Sequence, residues 1–184
     1  GEAEAADILE SYGFPLLKSR FIRDKSDIES AALEVGLPVA LKIVSPDIVH
    51  KSDAGGVRIN LPTLDAVIEA YDGILADCRR YKAEARIEGV LMMEMARKGV
   101  EVILGVARDP KFGPICMFGL GGILVEVMKD ISFRLAPMWE LSAENMIKEI
   151  KGFKVLQGIR GNPPSDIEAV KTCLLRLSQM AAEH

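Results

Sequence analysis

Apolar residues recur along this chain with two different periods, and the pattern switches repeatedly between them. Ser26-Asp27-Ile28-Glu29 has the form of a capping box, in which two side chains satisfy free N–H groups at a helix start. It predicts a helix that Gly36 closes, because glycine adopts the left-handed conformation that ends helices at little cost. Pro38 to Ser45 then reads as a buried β-branched strand, and Gly56 to Leu61 as a second. From Thr63 onward Leu64, Val67, Ile68, Tyr71, Leu75 and Cys78 recur every three or four positions, which defines one face of a long helix.

Four further apolar runs follow, Gly89 to Ala96, Val100 to Arg108, Pro114 to Leu120 and Ile123 to Met128. Their separators, Lys98-Gly99, residues 109–113 and Gly121-Gly122, are short enough for hairpins, so this half is expected to form an antiparallel sheet. Two helices should cover it. Ser142 is placed to cap the first, and Ser165-Asp166-Ile167-Glu168 after Pro163-Pro164 is a second capping box. Ile167, Val170, Leu174, Leu177 and Ala181 form the buried face of the latter. The expected fold class is α+β with largely antiparallel sheets in two lobes, residues 1–97 and 98–184, divided near Ala96 to Gly99.

The densest chemistry lies in ALKIVSPDIVHKSDAGGVRIN, Ala40 to Asn60. A lysine inside an apolar strand, Lys42, costs several kcal/mol of desolvation unless it meets an anion. Gly55 and Gly56 remove side-chain bulk where a ligand could approach the backbone. The arrangement suits phosphate. A hairpin loop beside a snorkelling lysine is the plain alternative, and this stretch alone leaves both open.

Composition narrows the partners. The 184 residues are 49% hydrophobic, enough for a core, and carry a net charge of −4. That argues against a general nucleic-acid binder, which needs a positive field, but leaves room for a small anionic ligand. Cys78, Cys116 and Cys173 are an odd number without metal-ligand spacing and read as small buried hydrophobes in a reducing compartment. Gly113 to Val125 is too short for a membrane span, and the acidic start lacks the regions of a signal peptide, so the cytoplasm is the expected location.

Several phosphate and hydrolase motifs are excluded by inspection. No Gly-Lys dipeptide exists for a Walker loop, Gly119-Leu120-Gly121-Gly122 lacks the third glycine of a dinucleotide fingerprint, and neither a Gly-x-Ser-x-Gly elbow nor a His-Glu-x-x-His helix occurs. What remains is positive charge near strand ends, at Lys42, His50, Lys51, Arg108, Lys129 and Arg134, together with carboxylates on apolar strands at Glu94, Glu101 and Glu126. Unpaired, such carboxylates would be costly. Strand carboxylates facing strand lysines suggest a nucleotide with its metal.

Three segments carry a family resemblance: PVALKIVSPDIVHKSDAGGV, GVLMMEMARKGVEVILGVARDPKFGPICMFGLGGILVEVMKD and ISFRLAPM. With the opening LESYGFPLLKS they closely resemble the ATP-grasp domain of ADP-forming acyl-CoA synthetases, the acetate-CoA ligase family related to succinyl-CoA synthetase. The resemblance implies an ATP-grasp fold whose two α+β lobes clamp a nucleotide, with ATP or ADP and Mg²⁺ as ligands. CoA would be bound by a partner domain or subunit of the same synthetase, with no nucleic acid or membrane involved. It further implies that Lys42 contacts the nucleotide phosphates, with the loop Asp53, Ala54, Gly55, Gly56 and Val57 over them. Glu94, with the backbone at Met93 and Met95, would sit at the adenine, Glu101 would accept the ribose hydroxyls, and Glu126 would hold Mg²⁺. His50 resembles the family's mobile phosphohistidine, which receives a phosphoryl group from a histidine on the CoA-binding part and passes it to ADP. Arg134 is assigned more loosely to phosphate.

Each role has a structural alternative. For Glu94 and Glu101 it is a salt bridge to Arg97, Lys98 or Arg108; for Lys42, an ion pair; for His50, an exposed loop histidine; for Gly119 to Gly122, a tight turn. The family's C-terminal strand with an Asp-x-Asn-Pro motif, which completes the metal site, is not matched before His184, so the polypeptide reads as an excised domain or partial subunit whose activity alone is doubtful. A regulatory role, as in acyl-CoA-synthetase-like regions fused to a protein acetyltransferase, is the alternative function. The acid substrate is not legible.

Overall fold

The computed structural model describes residues 2–122, 129–159 and 161–184, and the chain divides into two units. One is Leu17–Arg97; the other joins Gly1–Leu16 to Lys98–His184. The first sixteen residues therefore group with the second unit, where the sequence division had kept them in the first.

In Leu17–Arg97 four strands form an antiparallel sheet: β1 (Ser19–Ile22), β2 (Val39–Val44), β3 (Val57–Leu61) and β4 (Gly89–Glu94), in the order β1-β4-β2-β3. Helices α2 (Ile28–Val35) and α3 (Leu64–Tyr81) pack on one face. Strand alternation decides which residues they cover, because successive side chains point to opposite faces. Val39, Leu41 and Ile43 are fully buried with Val90 and Met92, while Ala40, Lys42 and Val44 lie on the other face and are partly buried. Thr63 caps α3 by accepting the Ala66 N–H at 3.2 Å. Helix α2 ends at Gly36 (φ 87°), as expected, but the capping box does not form. The helix instead grows from a 3₁₀ turn over Lys25–Asp27.

The second unit holds a three-stranded antiparallel sheet in the order β5-β6-β7, from Val102–Asp109, Gly113–Leu120 and Ile131–Leu135. The β5-β6 turn is closed by Asp109, whose Oδ1 accepts the N–H groups of Lys111 and Phe112 at 2.8 and 3.0 Å. Two strand assignments change. The short separators group Gly89–Glu94 with the later strands, although the lobe division keeps it within residues 1–97; it pairs between β1 and β2, because Val90 and Met92 complete the core of Leu41 and Ile43. Ile131–Leu135, not foreseen as a strand, pairs with β6. The run Ile123 to Met128 lies outside the described residues.

Helices α4 (Glu140–Glu149), α5 (Phe153–Leu156) and α6 (Ile167–Glu183) complete this unit, with α1 (Glu2–Ser11) ahead of them in the chain. Both expected caps shift. Helix α4 starts after Trp139 with no side-chain cap, so Ser142 is inside it, and α6 is capped by Asp166 rather than Ser165, accepting the Ala169 N–H at 2.9 Å. The link that follows α1 meets α6, where Tyr12 donates to the Glu183 carboxylate and Arg176 to the Gly13 carbonyl. Cys116, Phe118, Leu120, Met146, Ile147 and Leu174 are among the core residues. All three cysteines are free, and burial raises the thiol pKa of each, which keeps them protonated. No helix among the described residues is long and apolar enough to cross a membrane.

Helices α4 and α6 are also joined by charge. Lys171 bridges Glu144 (3.3 Å) and Glu168 (2.7 Å), and hydrogen bonding to Lys171 lowers the Glu144 pKa. A depressed folded-state pKa contributes stability above the unfolded value and loses it as pH falls through the folded one. The difference in Tm between the parent chain and Glu144→Gln should therefore be present at neutral pH and vanish in acid below the usual glutamate range. Thermal melts across that range measure it.

Candidate functional site

The face of the first sheet turned away from α2 and α3 is the starting point. Register pairs Lys42 with Leu91 and Val57, Ala40 with Met93, and Leu91 with Phe21. Paired residues share a face, so the Lys42 ammonium shares a mostly apolar strip with Phe21, Ala40, Val57, Leu91 and Met93. A mostly apolar strip that bears a lysine suits a planar base joined to an anion. Glu94, by contrast, is in register with Val39 and so lies on the opposite face from Lys42. Of the expected adenine-side residues within β4, Met93 shares the face of Lys42 and Glu94 does not. Met95 lies just past β4, its sulfur accepting the Asn60 N–H at 3.4 Å.

Next to this face the chain between β2 and β3 makes a tightly bonded loop. Gly56 N–H bonds the Lys51 carbonyl at 2.7 Å, Ile43 N–H bonds that of Gly56 at 2.8 Å, and Ala54 N–H bonds that of His50 at 3.2 Å. Ile48 and Ala54 are buried at 2% and 3% exposure, whereas Val49 is 80% exposed and His50 and Asp53 are exposed too. His50 thus sits at the tip of a loop plugged into the core on both sides. The glycine pair has a packing reason. A Cβ at Gly56 would lie 2.5 Å from Ile43 Cγ2 and 3.2 Å from Cys78 Sγ, and Gly55 has φ +66°. Gly56 faces the core, so its lack of a side chain makes room for β2 and α3.

In the second unit Glu101 is exposed just ahead of β5, and its carbonyl accepts the Gly121 N–H at 2.7 Å. A Cβ on Gly121 would lie 2.9 Å from Glu101 Cβ, and one on Gly119 would lie 2.9 Å from the Asp130 carbonyl. The glycine cluster brings the backbone against Glu101. Among the described residues neither Glu94 nor Glu101 forms an ion pair, and the bridges to Arg97, Lys98 or Arg108 are absent. Arg134 behaves otherwise. It shares a face with Cys116 in the buried layer and pairs with Glu149 of α4 at 2.5 Å, so a phosphate would have to compete with that carboxylate. Glu126 lies outside the described residues, and among those described no three His, Cys, Asp or Glu side chains gather for a metal.

Sequence reading overlooked the groups that tie the His50 loop down. Arg58 bonds the carbonyls of Gly55 and Val57 at 2.7 and 3.0 Å and Asp77 of α3 at 2.6 Å. On the other side Asp47 accepts the Arg86 N–H at 2.6 Å. The Arg58–Asp77 and Asp47–Arg86 pairs are far apart in the chain and follow no spacing rule.

Comparison with known proteins then decides the family. The model of a family described as an ATP-grasp domain matches residues 1–184. Subunit beta of the ADP-forming acetate-CoA ligase I of Pyrococcus furiosus is 45% identical over 99% of this chain and 78% of its own length. The chain is an ATP-grasp domain of the ADP-forming acyl-CoA synthetase family. Its fold agrees with a solved relative. Acetyl-coenzyme A synthetase 1 of Ca. Korarchaeum cryptofilum, in complex with coenzyme A and Ca-AMPCP, superposes with a TM-score of 0.96 at 47% identity, over 99% of this ATP-grasp domain and 80% of that chain. The same enzyme with coenzyme A and Mg-AMPPCP, its phosphohistidine segment pointing towards the nucleotide binding site, gives 0.86 at 44% identity, over 99% and 78%. The ADP-forming 4-hydroxybutyrate-CoA ligase of Nitrosopumilus maritimus is 45% identical over 99% of this domain, which spans only 26% of that ligase.

Proposed function

We propose that this domain binds ATP or ADP with Mg²⁺ and transfers a phosphoryl group through His50, within a synthetase that makes acyl-CoA, ADP and phosphate from a carboxylic acid, CoA and ATP. The observation that carries the reading is the exposed His50 at the tip of a two-sided anchored loop beside the face bearing Lys42. The solved relative's phosphohistidine segment and nucleotide analogue support it. Because the relatives reported are ligases, this reading is favoured over a regulatory domain of a fused acetyltransferase. CoA would bind on a partner domain or subunit, and the cytoplasm is the proposed location.

In the proposed chemistry a lone pair on the His50 imidazole forms the N–P bond to the γ-phosphorus while the P–O bond to ADP breaks, and ADP leaves with that electron pair. Lys42 would hold the phosphates, and the loop from Asp53 through Gly55, Gly56 and Val57 would lie over them. The backbone at Met93 and Met95, with Glu94 at the strand end, would border the adenine, and Glu101 would accept the ribose hydroxyls. Arg134 keeps a looser part through phosphate, in exchange with Glu149. Mg²⁺ would neutralise phosphate charge. It takes one or two protein carboxylates plus phosphate oxygens, so no three-residue cluster is required and Glu126 is the proposed ligand.

Calorimetric titration of ATP and ADP, with and without Mg²⁺, tests the reading. Dissociation constants in the micromolar to millimolar range, about −8 to −4 kcal/mol, are expected. Glu126→Gln should weaken MgATP more than metal-free ATP, since it removes charge but keeps shape. Equal losses would assign Glu126 to structure, and no heat with either nucleotide at millimolar concentration would overturn the proposal.

A further inference from the structure

An arginine two residues beyond a glycine pair invites assignment to phosphate, but the bonding of Arg58 is directed inward. One guanidinium nitrogen is shared by the Gly55 and Val57 carbonyls, and another bonds Asp77 Oδ2 at 2.6 Å. Arg80 holds the second Asp77 oxygen at 3.2 Å, and Asp77 Cβ lies 3.0 Å from where a Gly55 side chain would begin. The guanidinium therefore fastens one point of the backbone, at Gly55, to helix α3. Upstream of that point the loop is held by Ile48 and Ala54 in the core and by main-chain turns, and between those two anchors its exposed members are Val49, His50, Ser52 and Asp53. Downstream the chain enters β3 and its ladder with β2. Gly55, at φ +66°, is the residue that can absorb a large backbone rotation between the two.

We infer that Arg58, oriented by Asp77, is a positioning residue for His50. It fixes Gly55 as the downstream hinge at which motion of the His50 segment stops, so that β3 and the Lys42 face stay in place when the histidine moves. The inference rests on the proposed role of His50 as phosphoryl carrier. A carrier must return to the same attack geometry at each turnover, and a hinge that drifts into β3 would lose it.

Hydrogen exchange on this chain tests the hinge, and labelling of the full synthetase tests its use. In Arg58→Gln, exchange at Gly55, Gly56 and Val57 should rise by about tenfold or more while the amides of α3 around Ile74 change little. In the full enzyme the rate of acid-labile labelling from ATP should fall by about tenfold or more, with ATP affinity within about twofold. Arg58→Lys keeps the charge but not the planar fork, and should recover only part of that rate. Unchanged exchange and labelling would overturn the inference, as would an even rise in exchange across Leu17–Arg97, which marks a merely structural role. Should Arg58→Gln fail to fold, Asp77→Asn makes the same test by removing the anion that orients the guanidinium. Labelling that survives His50→Ala would instead refute the carrier role, while the exchange pattern would still decide whether Gly55 is the hinge.

Discussion

Replacing Lys42 by alanine should weaken ATP and ADP binding by about 30- to 1,000-fold, or about 2 to 4 kcal/mol, the scale of a charge-assisted contact to an anion. The size follows from its surroundings. Lys42 is in register with Leu91 and Val57 and shares its face with Phe21, Ala40 and Met93, so it supplies the charge on that strip. The same substitution should leave the fold almost intact, because Val39, Leu41 and Ile43 on the opposite face carry the packing of β2. Calorimetry with ADP and ATP, read beside a thermal melt, separates the two effects. An unchanged affinity would mean that Lys42 serves the sheet and that the nucleotide phosphates lie elsewhere.

What the sequence made legible follows from range. Helix α3 and strand β2 are set by local period and by Thr63, and they fall where the pattern put them. Strand β4 was recognised as a strand and kept in the first lobe by the division at residue 97, but the length of the separators grouped it with the later sheet, because partner choice depends on which core Val90 and Met92 fill and loop length carries no such information. The two capping boxes failed differently: α2 grows from a 3₁₀ turn with no side-chain cap, whereas at α6 the cap moved by one residue. Adjacent Ser-Asp pairs offer two oxygens one residue apart, and at α6 the structure selects Asp166. Gly56 was read as room for a ligand, whereas Ile43 and Cys78 occupy the space its side chain would need. Lys42, His50 and Glu101 stood out as candidates because charge on or beside apolar strands is conspicuous. The Arg58–Asp77 tie was not, since it joins β3 to α3 by tertiary geometry alone.

A second variant separates binding from chemistry. In a full-length synthetase containing this domain, His50→Ala should leave nucleotide affinity within about tenfold, about 1.4 kcal/mol, because the exposed imidazole is not a main ligand of ATP in this reading. Net acyl-CoA formation should nevertheless collapse. Imidazole is nucleophilic near neutral pH and its phosphoramidate is a good phosphoryl donor, properties that alanine cannot replace. The substitution should cost little stability, since the loop is held by Ile48 and Ala54 rather than by the histidine ring. The parent enzyme given labelled ATP should carry acid-labile, base-stable label on the peptide spanning Pro46 to Arg58. Normal turnover by His50→Ala, or label confined to other peptides, would return His50 to the status of an exposed loop residue and move the phosphoryl carrier out of this domain.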